Sequence, residues 1–249
     1  MIGKKIFAWF LLCGSLNVFG EQQQSAPLSI SVGEWAPYID SSQEGNGVAS
    51  EIVTEAFARV GYKVDLVFKT WPRVEFDVDH SGEVSFGWIY NTERDKKWLF
   101  SEPLMQGRTV LAVLKGKALI WKTLQDLKPF TLATARGYSY GDEFDSFKSQ
   151  LKIFENNEEF VSMKMLLNNR VDAVVIDPLV ARQLLLTHFA ESANRVYFVE
   201  QPPIKNYDLH LICARDNPQC PTLISRFDAQ IKKMNEEGWV ASAVYRHMH

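Results

Sequence analysis

The chain has 249 residues and a formal net charge of −3, a length that accommodates one large domain or two small lobes. Its basic residues form no run beyond the pairs Lys96-Lys97 and Lys232-Lys233. Such pairs suit solvated helix faces, and a nucleic-acid footprint is excluded.

Residues 1–20 read as a secretory signal. Lys4 and Lys5 form a basic start, Ile6 to Phe19 is mostly apolar, and small Gly20 with Val18 two residues before it suits cleavage. The mature chain is expected to begin near Glu21. The apolar run is shorter than the roughly 20 residues of a membrane helix, and no later stretch reaches that length, so export without an integral anchor is expected. Leu12 precedes Cys13, whereas a lipidated cysteine follows a small residue, so no lipid anchor is expected. Loss of Lys4 and Lys5 makes the mature chain two charges more negative. Cys213 and Cys220 are then the remaining thiols, on either side of the turn-like Arg215-Asp216-Asn217-Pro218-Gln219. An oxidising compartment lets them pair and staple one loop; the alternative is two separate buried thiols.

Leu28, Ile30 and Val32 alternate as a strand. Val48, Ile52, Val53, Ala56, Phe57 and Val60 recur at helical spacing up to the stop signal Gly61, and Val64, Leu66 and Phe68 alternate again. This is a β-α-β unit, whose crossover should be right-handed and whose strands should be parallel. Pro72 opens a second helix and Gly82 ends it, before a strand at Val84 to Trp88. A second series starts after Lys128-Pro129: strand Thr131–Ala135, helix Asp142–Leu151, strand Ile153-Phe154 and helix Glu158–Asn168. Asp172–Asp177 is a strand too apolar to have a wet face, Pro178–His188 reads as a helix with Pro at its first turn, and Arg195–Glu200 as a strand. After Pro202-Pro203, a strand at Leu209–Ala214 and a helix at Pro221–Asn235 finish the series. Two α/β lobes without a Gly/Ser-rich linker imply a cleft at the carboxyl ends of their strands.

Arg94, shortly before Phe100-Ser101-Glu102-Pro103-Leu104, and Asp177, after Arg170-Val171-Asp172-Ala173-Val174-Val175-Ile176, each place one charge at the polar end of an apolar run. A guanidinium holds a carboxylate through two charge-assisted hydrogen bonds, and a carboxylate accepts from an ammonium. The pair suits an α-amino acid.

Further motifs are Gly33-Glu34-Trp35-Ala36-Pro37-Tyr38, Gly45-x-Gly47 with Glu51, Thr92-x-Arg94, Leu124-x-Asp126-Leu127, Arg136-Gly137-Tyr138-Ser139, Asn169-Arg170-Val171-Asp172-Ala173 and Glu237-Gly238. In identity and order these make nearly all of the mature chain resemble the bacterial extracellular solute-binding proteins of family 3, the periplasmic receptors of polar amino-acid ABC transporters. The resemblance implies a two-lobed, type II-like periplasmic binding protein of α/β class, each lobe a mostly parallel sheet flanked by helices. Lobe 1 would comprise residues 25–108 and 209–249, and lobe 2 residues 109–208, with hinges near Thr109–Val113 and Asn206–His210. It further implies capture of a small zwitterion, a monomeric state, delivery to a membrane ABC permease, and no catalysis, cofactor or metal. A receptor that signals through a sensor partner is the alternative.

By the same likeness Arg94 would clamp the ligand α-carboxylate, Asp177 would take the α-ammonium, and Trp35 and Trp71 would lie against the ligand side chain. Gly137-Tyr138-Ser139 would offer backbone N–H groups to the carboxylate. The chain departs from the family before Arg94, where Gly87-Trp88-Ile89-Tyr90-Asn91 replaces small hydroxyl residues. Trp88 and Tyr90 would then narrow the cleft and add stacking surface for a modified or aromatic amino acid. Each assignment has a plain counterpart: a structural salt bridge for Arg94, a helix N-cap for Asp177, packing for the tryptophans, a loop acid for Glu34 and a surface cation for Arg73. Gly137-Tyr138-Ser139-Tyr140-Gly141 also fits G-x-S-x-G, with Asp177 and His188 or His210 in hydrolase order. No HGGG-type segment precedes it, so a serine hydrolase using Ser139 is the lesser reading. His247 and His249 lack a third ligand nearby, and no metal site is expected.

Overall fold

The computed structural model describes residues 27–117 and 119–248; the expected signal segment, Cys13 and His249 lie outside them. The elements in order are β1 (Leu28–Val32), α1 (Val48–Ala58), β2 (Val64–Phe68), α2 (Trp71–Ser81), β3 (Val84–Ile89), α3 (Thr92–Asp95), β4 (Trp98–Phe100) and β5 (Met105–Leu114). They continue with β6 (Thr131–Ala135), α4 (Asp142–Phe147), β7 (Lys152–Asn156), α5 (Glu159–Leu167), β8 (Ala173–Ile176), α6 (Pro178–His188), β9 (Val196–Val199), β10 (Lys205–Ala214), α7 (Cys220–Glu236) and α8 (Trp239–Met248).

Two parallel β-α-β units account for the two halves. β1 pairs with β2 from Leu28↔Val64 to Val32↔Phe68 and with β3 on its other side. α1 covers them with Val48, Ile52, Val53, Ala56 and Phe57, which are fully buried, as a 3.6-residue apolar period requires. In the other half β6 runs parallel to β7 and to β8. β8 reads Ala-Val-Val-Ile with every residue buried, the composition of a strand covered on both faces.

The halves are joined by two ten-residue strands. β5 and β10 pair antiparallel from Met105↔Leu209 to Thr109↔Lys205. Beyond that shared stretch they diverge: β10 continues against β3 and β4, whereas β5 continues against β8 and β9. The result is one curled sheet in the order β2-β1-β3-β10-β5-β8-β6-β7, parallel within β2-β1-β3 and β8-β6-β7 and antiparallel wherever β5 or β10 takes part.

Three features depart from the sequence expectation. The helix expected to reach Leu151 stops at Phe147 and passes into a 3-10 turn over Lys148–Gln150. β4 and α8 were not anticipated, because Trp98–Phe100 is short and Val240 and Ala243 supply a brief apolar period. α8 folds back on α1 and α7, where Arg246 and His247 both engage Glu51.

Cys213 at the end of β10 and Cys220 at the start of α7 form a disulfide, with Cα atoms 5.7 Å apart. The first half is centred on Phe57, whose ring lies 5.4 Å from that of Phe227 on α7. Phe57→Ala is expected to cost about 3–5 kcal/mol, through lost transfer free energy and the cavity left behind. Equilibrium urea unfolding with an unchanged slope checks it, and a loss below about 1 kcal/mol would show that this contact does not hold the half together.

Candidate functional site

The site lies where the end of β3, the turn after β1, the loop after β6 and the starts of α5 and α6 converge beside the β5–β10 crossing. Arg94 is fixed by α3, whose N-cap Asn91 accepts from the Arg94 N–H at 2.8 Å. Its guanidinium donates to the Ile89 carbonyl at 3.0 Å and, across the cleft, to the Gly137 carbonyl at 3.3 Å. It stacks over Trp88, 4.9 Å from the ring centre, and Trp98, at 5.9 Å. Among the described residues it forms no ion pair, and three of its five N–H donors remain unused. Burial pushes its pKa below the usual arginine value, opposed by the more distant charges of Glu75 and Asp145.

Trp88 lies beneath Arg94. It is buried, donates from Nε1 to Ser85 Oγ at 2.8 Å, and packs with Val74, Val78, Trp98 and Ile212. Tyr90 is exposed, with its ring 5.3 Å from Phe100. Trp71 is half-buried, packs edge-on against Trp88 and donates to the Glu34 carbonyl at 3.1 Å. Its indole lies over Gly33, where a Cβ would come within 2.5 Å of the ring. Glu34 is exposed, and its carboxylate accepts from Ser41. Arg73 is 62% exposed, is paired with Asp77 on its own helix at 2.9 Å, and lies over the Phe76 ring.

The rest of the cleft, contributed by both halves, is aromatic and acidic. The Trp35 ring lies 4.6 Å from Tyr38, 6.3 Å from Tyr207 and 6.4 Å from Tyr138. Asp177 is buried and N-caps α6, its Oδ1 accepting from Leu179 N at 2.7 Å and Val180 N at 3.2 Å. Its Oδ2 accepts from the Tyr207 hydroxyl at 2.8 Å and from the Tyr38 hydroxyl, in the other half of the molecule, at 3.1 Å. Burial raises the Asp177 pKa, and those four donors pull it back. Burial, then the Asp177 charge, raise the Tyr38 pKa as well. Behind Asp177, on the side of the crossing strands, a cavity of about 270 Å3 is lined by residues that include Gln106, Arg108, Arg182 and Asn206.

Glu159, in the first turn of α5, completes the acidic side. The residue is half-buried, with the Trp35 and Tyr138 side chains near its carboxyl. Desolvation, with the Asp177 charge added, raises its pKa to about 8, against the lowering pull of Trp35 and Tyr138. Burial and the Glu159 charge raise the pKa of Tyr138 in turn. Sequence reading passed over Glu159 because Glu155 and Glu158 make it one of a run of acids. It passed over Tyr38 and Tyr207 because a tyrosine on a strand or turn reads as packing.

Ser139 is buried and donates to Asp145 at 2.7 Å, while Gly141 N donates to its Oγ at 3.4 Å. His188 packs against Phe160 and Phe189, and His210 Nδ1 contacts the Ser101 carbonyl at 2.8 Å. The Ser139 hydroxyl therefore serves the turn before α4, and its partner is an acid rather than either histidine. His247 contacts Glu51.

Two α/β halves joined by a crossed strand pair, with a cation facing acids and aromatic rings across the junction, define the two-lobed periplasmic-binding-protein fold. Solved structures with that fold include a histidine kinase sensor domain with similarity to periplasmic binding proteins (TM-score 0.73, 14% identity, 90% of this chain and 97% of that one). Another is the GluR0 ligand-binding core of Nostoc punctiforme in complex with L-glutamate (0.71, 17%, 87% and 97%). A third is the arginine-, lysine-, histidine-binding protein of Geobacillus stearothermophilus (0.70, 18%, 89% and 94%). No curated protein matches by sequence. Residues 30–248 match the profile of the bacterial extracellular solute-binding proteins, family 3, and the chain belongs to that family.

The raised Glu159 pKa fixes the sign of a pH effect. A carboxyl that holds its proton more tightly folded than unfolded contributes most stability below its unfolded value of about 4.3, and that contribution falls as pH rises to about 8. Urea unfolding of Glu159→Gln should therefore gain on the native protein between those limits and keep a constant advantage above them. A difference that does not change with pH would place the Glu159 carboxyl in water.

Proposed function

We propose that the protein captures a small zwitterion, an amino acid or a modified one, between its lobes and delivers it in the periplasm to a membrane ABC permease. The observation that carries this reading is Arg94, a partly buried guanidinium with unused donors and no ion pair among the described residues, facing a cleft whose far side holds two acids. A ligand carboxylate supplies the missing anion through a bidentate pair. Trp35 and Tyr138 offer flat apolar surface for the ligand's side chain, while Trp88 and Trp98 support Arg94 from below. Membership of an extracellular solute-binding family supports the location and the transport role.

Residues 25–108 with 209–249 form the first lobe in this reading and residues 109–208 the second, with the β5–β10 crossing as hinge. Its support is that each crossing strand changes partners at the point where it leaves the other. The Arg94–Gly137 and Tyr38–Asp177 bonds reach from one lobe to the other, so a ligand that binds both sides selects the closed population. A sensing role is the second reading, favoured by the likeness in fold to a histidine kinase sensor domain; genetic loss of uptake, against loss of a transcriptional response, separates the two.

Thermal unfolding against the proteinogenic amino acids, followed by calorimetry, tests the proposal. A ligand at 100 times its dissociation constant adds about 2.7 kcal/mol of stability. Arg94→Ala should cost about 2–5 kcal/mol of affinity, because it leaves a desolvated carboxylate unpaired. Unchanged affinity would remove Arg94 from the site.

A further inference from the structure

We infer that the second half carries a separate binding site, for a phosphate-bearing group, at the end of its sheet farthest from the cleft. The site is a cavity of about 620 Å3 lined by residues that include Lys115, Lys117, Asn169, Asn194 and Arg195. It goes beyond the zwitterion reading and does not depend on it.

The topology brings these residues to one end of the sheet. β5 leaves the crossing and pairs with β8 as far as Val113↔Ala173 and with β9 as far as Leu114↔Val196. Ile176, next to Asp177 and the cleft, lies at the other end of β8, opposite Val110. The cavity therefore sits beyond the starts of β8 and β9. There Lys115 N donates to the Arg195 carbonyl at 2.7 Å, which ties the turn after β5 to the approach to β9. Asn169 adds a further wall from the turn between α5 and β8, with a φ of 55°, a left-handed conformation that asparagine tolerates better than most residues. Asp172 and Asp177 bracket β8 and are roughly 16 Å apart along it, at about 3.3 Å per residue.

The balance of charge at this end is positive. Lys117 is paired with Asp172 at 2.9 Å, and the second oxygen of Asp172 accepts from Thr131 N at 2.9 Å. Arg195 gives one N–H to the Leu167 carbonyl, at the end of α5, at 3.1 Å, and its remaining donors meet no acid among the described residues. Lys115 is exposed and forms no ion pair among the described residues. The Asn169 and Asn194 carboxamides are exposed as well, and neither makes a hydrogen bond within the protein among the described residues. Three cations thus face one acid, on a chain whose net charge is −3.

Two ammonium groups, a guanidinium fork and two carboxamides present donors from several directions. A single carboxylate, with two oxygens and one charge, uses few of them. A phosphate group carries about −1.5 to −2 charges near neutral pH on three acceptor oxygens, and matches both the number and the spread of the donors. The volume lies in the range of pockets that take whole small molecules, so there is room for what the phosphate is attached to. Two sources share this chemistry: the headgroup of an anionic phospholipid, which would set this end of the molecule against a membrane surface, and a soluble phosphate ester.

The test measures binding at about 0.15 M salt, where charges more than about 8 Å apart are largely screened and the cleft has no part in the result. One probe is vesicles of phosphatidylcholine with and without phosphatidylglycerol, read by co-sedimentation; the other is inorganic pyrophosphate, read by calorimetry. The native protein is compared with Lys115→Glu and with Lys232→Glu, which makes the same change of net charge at an exposed lysine on α7 in the other half. Both substitutions are on exposed side chains, so both variants should fold; unfolding midpoints confirm it. The expected result is binding of at least one probe, weakened roughly tenfold or more by Lys115→Glu and unchanged by Lys232→Glu. Retention on phosphatidylglycerol vesicles alone identifies the lipid headgroup, and pyrophosphate binding identifies a soluble ester; either supports the inference. A native protein that binds neither probe overturns it, as does Lys115→Glu that binds like the native protein. Equal losses in the two variants, or equal retention on vesicles without phosphatidylglycerol, also overturn it, because the binding is then not made at this cavity.

Discussion

The antiparallel pairing of β5 with β10 is the constraint on which the rest of the molecule depends. Five residue pairs hold the two strands side by side, and each strand then commits its remaining length to a different half. Every group in the cleft is placed relative to that crossing. Tyr207 projects from β10 within the shared stretch, and Asp177 follows β8, which pairs with the far end of β5. Arg94 follows β3, the neighbour of β10. A short ladder of main-chain hydrogen bonds thus sets the separation of charges that side chains alone would not hold.

The cleft keeps its opposite charges apart, and that is costly in a folded protein, since a buried charge is normally paired. Arg94 is made tolerable by two carbonyl acceptors and by the faces of Trp88 and Trp98. On the acidic side desolvation, with the Asp177 charge added, holds the Glu159 pKa well above the usual carboxylate value. The same logic separates site from scaffold: Arg73 and Glu34, each satisfied by a near neighbour, have little left to offer a ligand.

Much of the architecture was legible in the sequence because it follows periodicity. The alternation Leu28-Ile30-Val32, the helical recurrence from Val48 to Phe57, and the stop at Gly82, which takes a left-handed backbone, all correspond to elements found. β5 and β10 were seen only in part, since Gln106-Gly107-Arg108 and Asn206-Tyr207-Asp208 show no apolar alternation where the strands lie beside each other. In the site, Arg94 stood out as a charge at the end of a strand, whereas the reach of Tyr38 over 139 residues to Asp177 has no local signature. Trp88 was expected to narrow the cleft and add stacking surface, whereas it is buried beneath the Arg94 guanidinium; its place in the strand gives no sign of what covers it.

The disulfide gives the crossing an asymmetry. Cys213 ends β10 and is bonded to the first turn of α7, whose Phe227 and Ile231 are sunk in the core of the first half. That end of β10 behaves as a beam clamped in a wall. The stretch Lys205–Leu209 is held by β5 instead, and a register shift lies between His210 and Leu211, where the two meet. In the reading of the crossing as a hinge, rotation of one half against the other would fall on Asn206–Leu209, beyond the clamp, while β3 and β4 stay in register with β10.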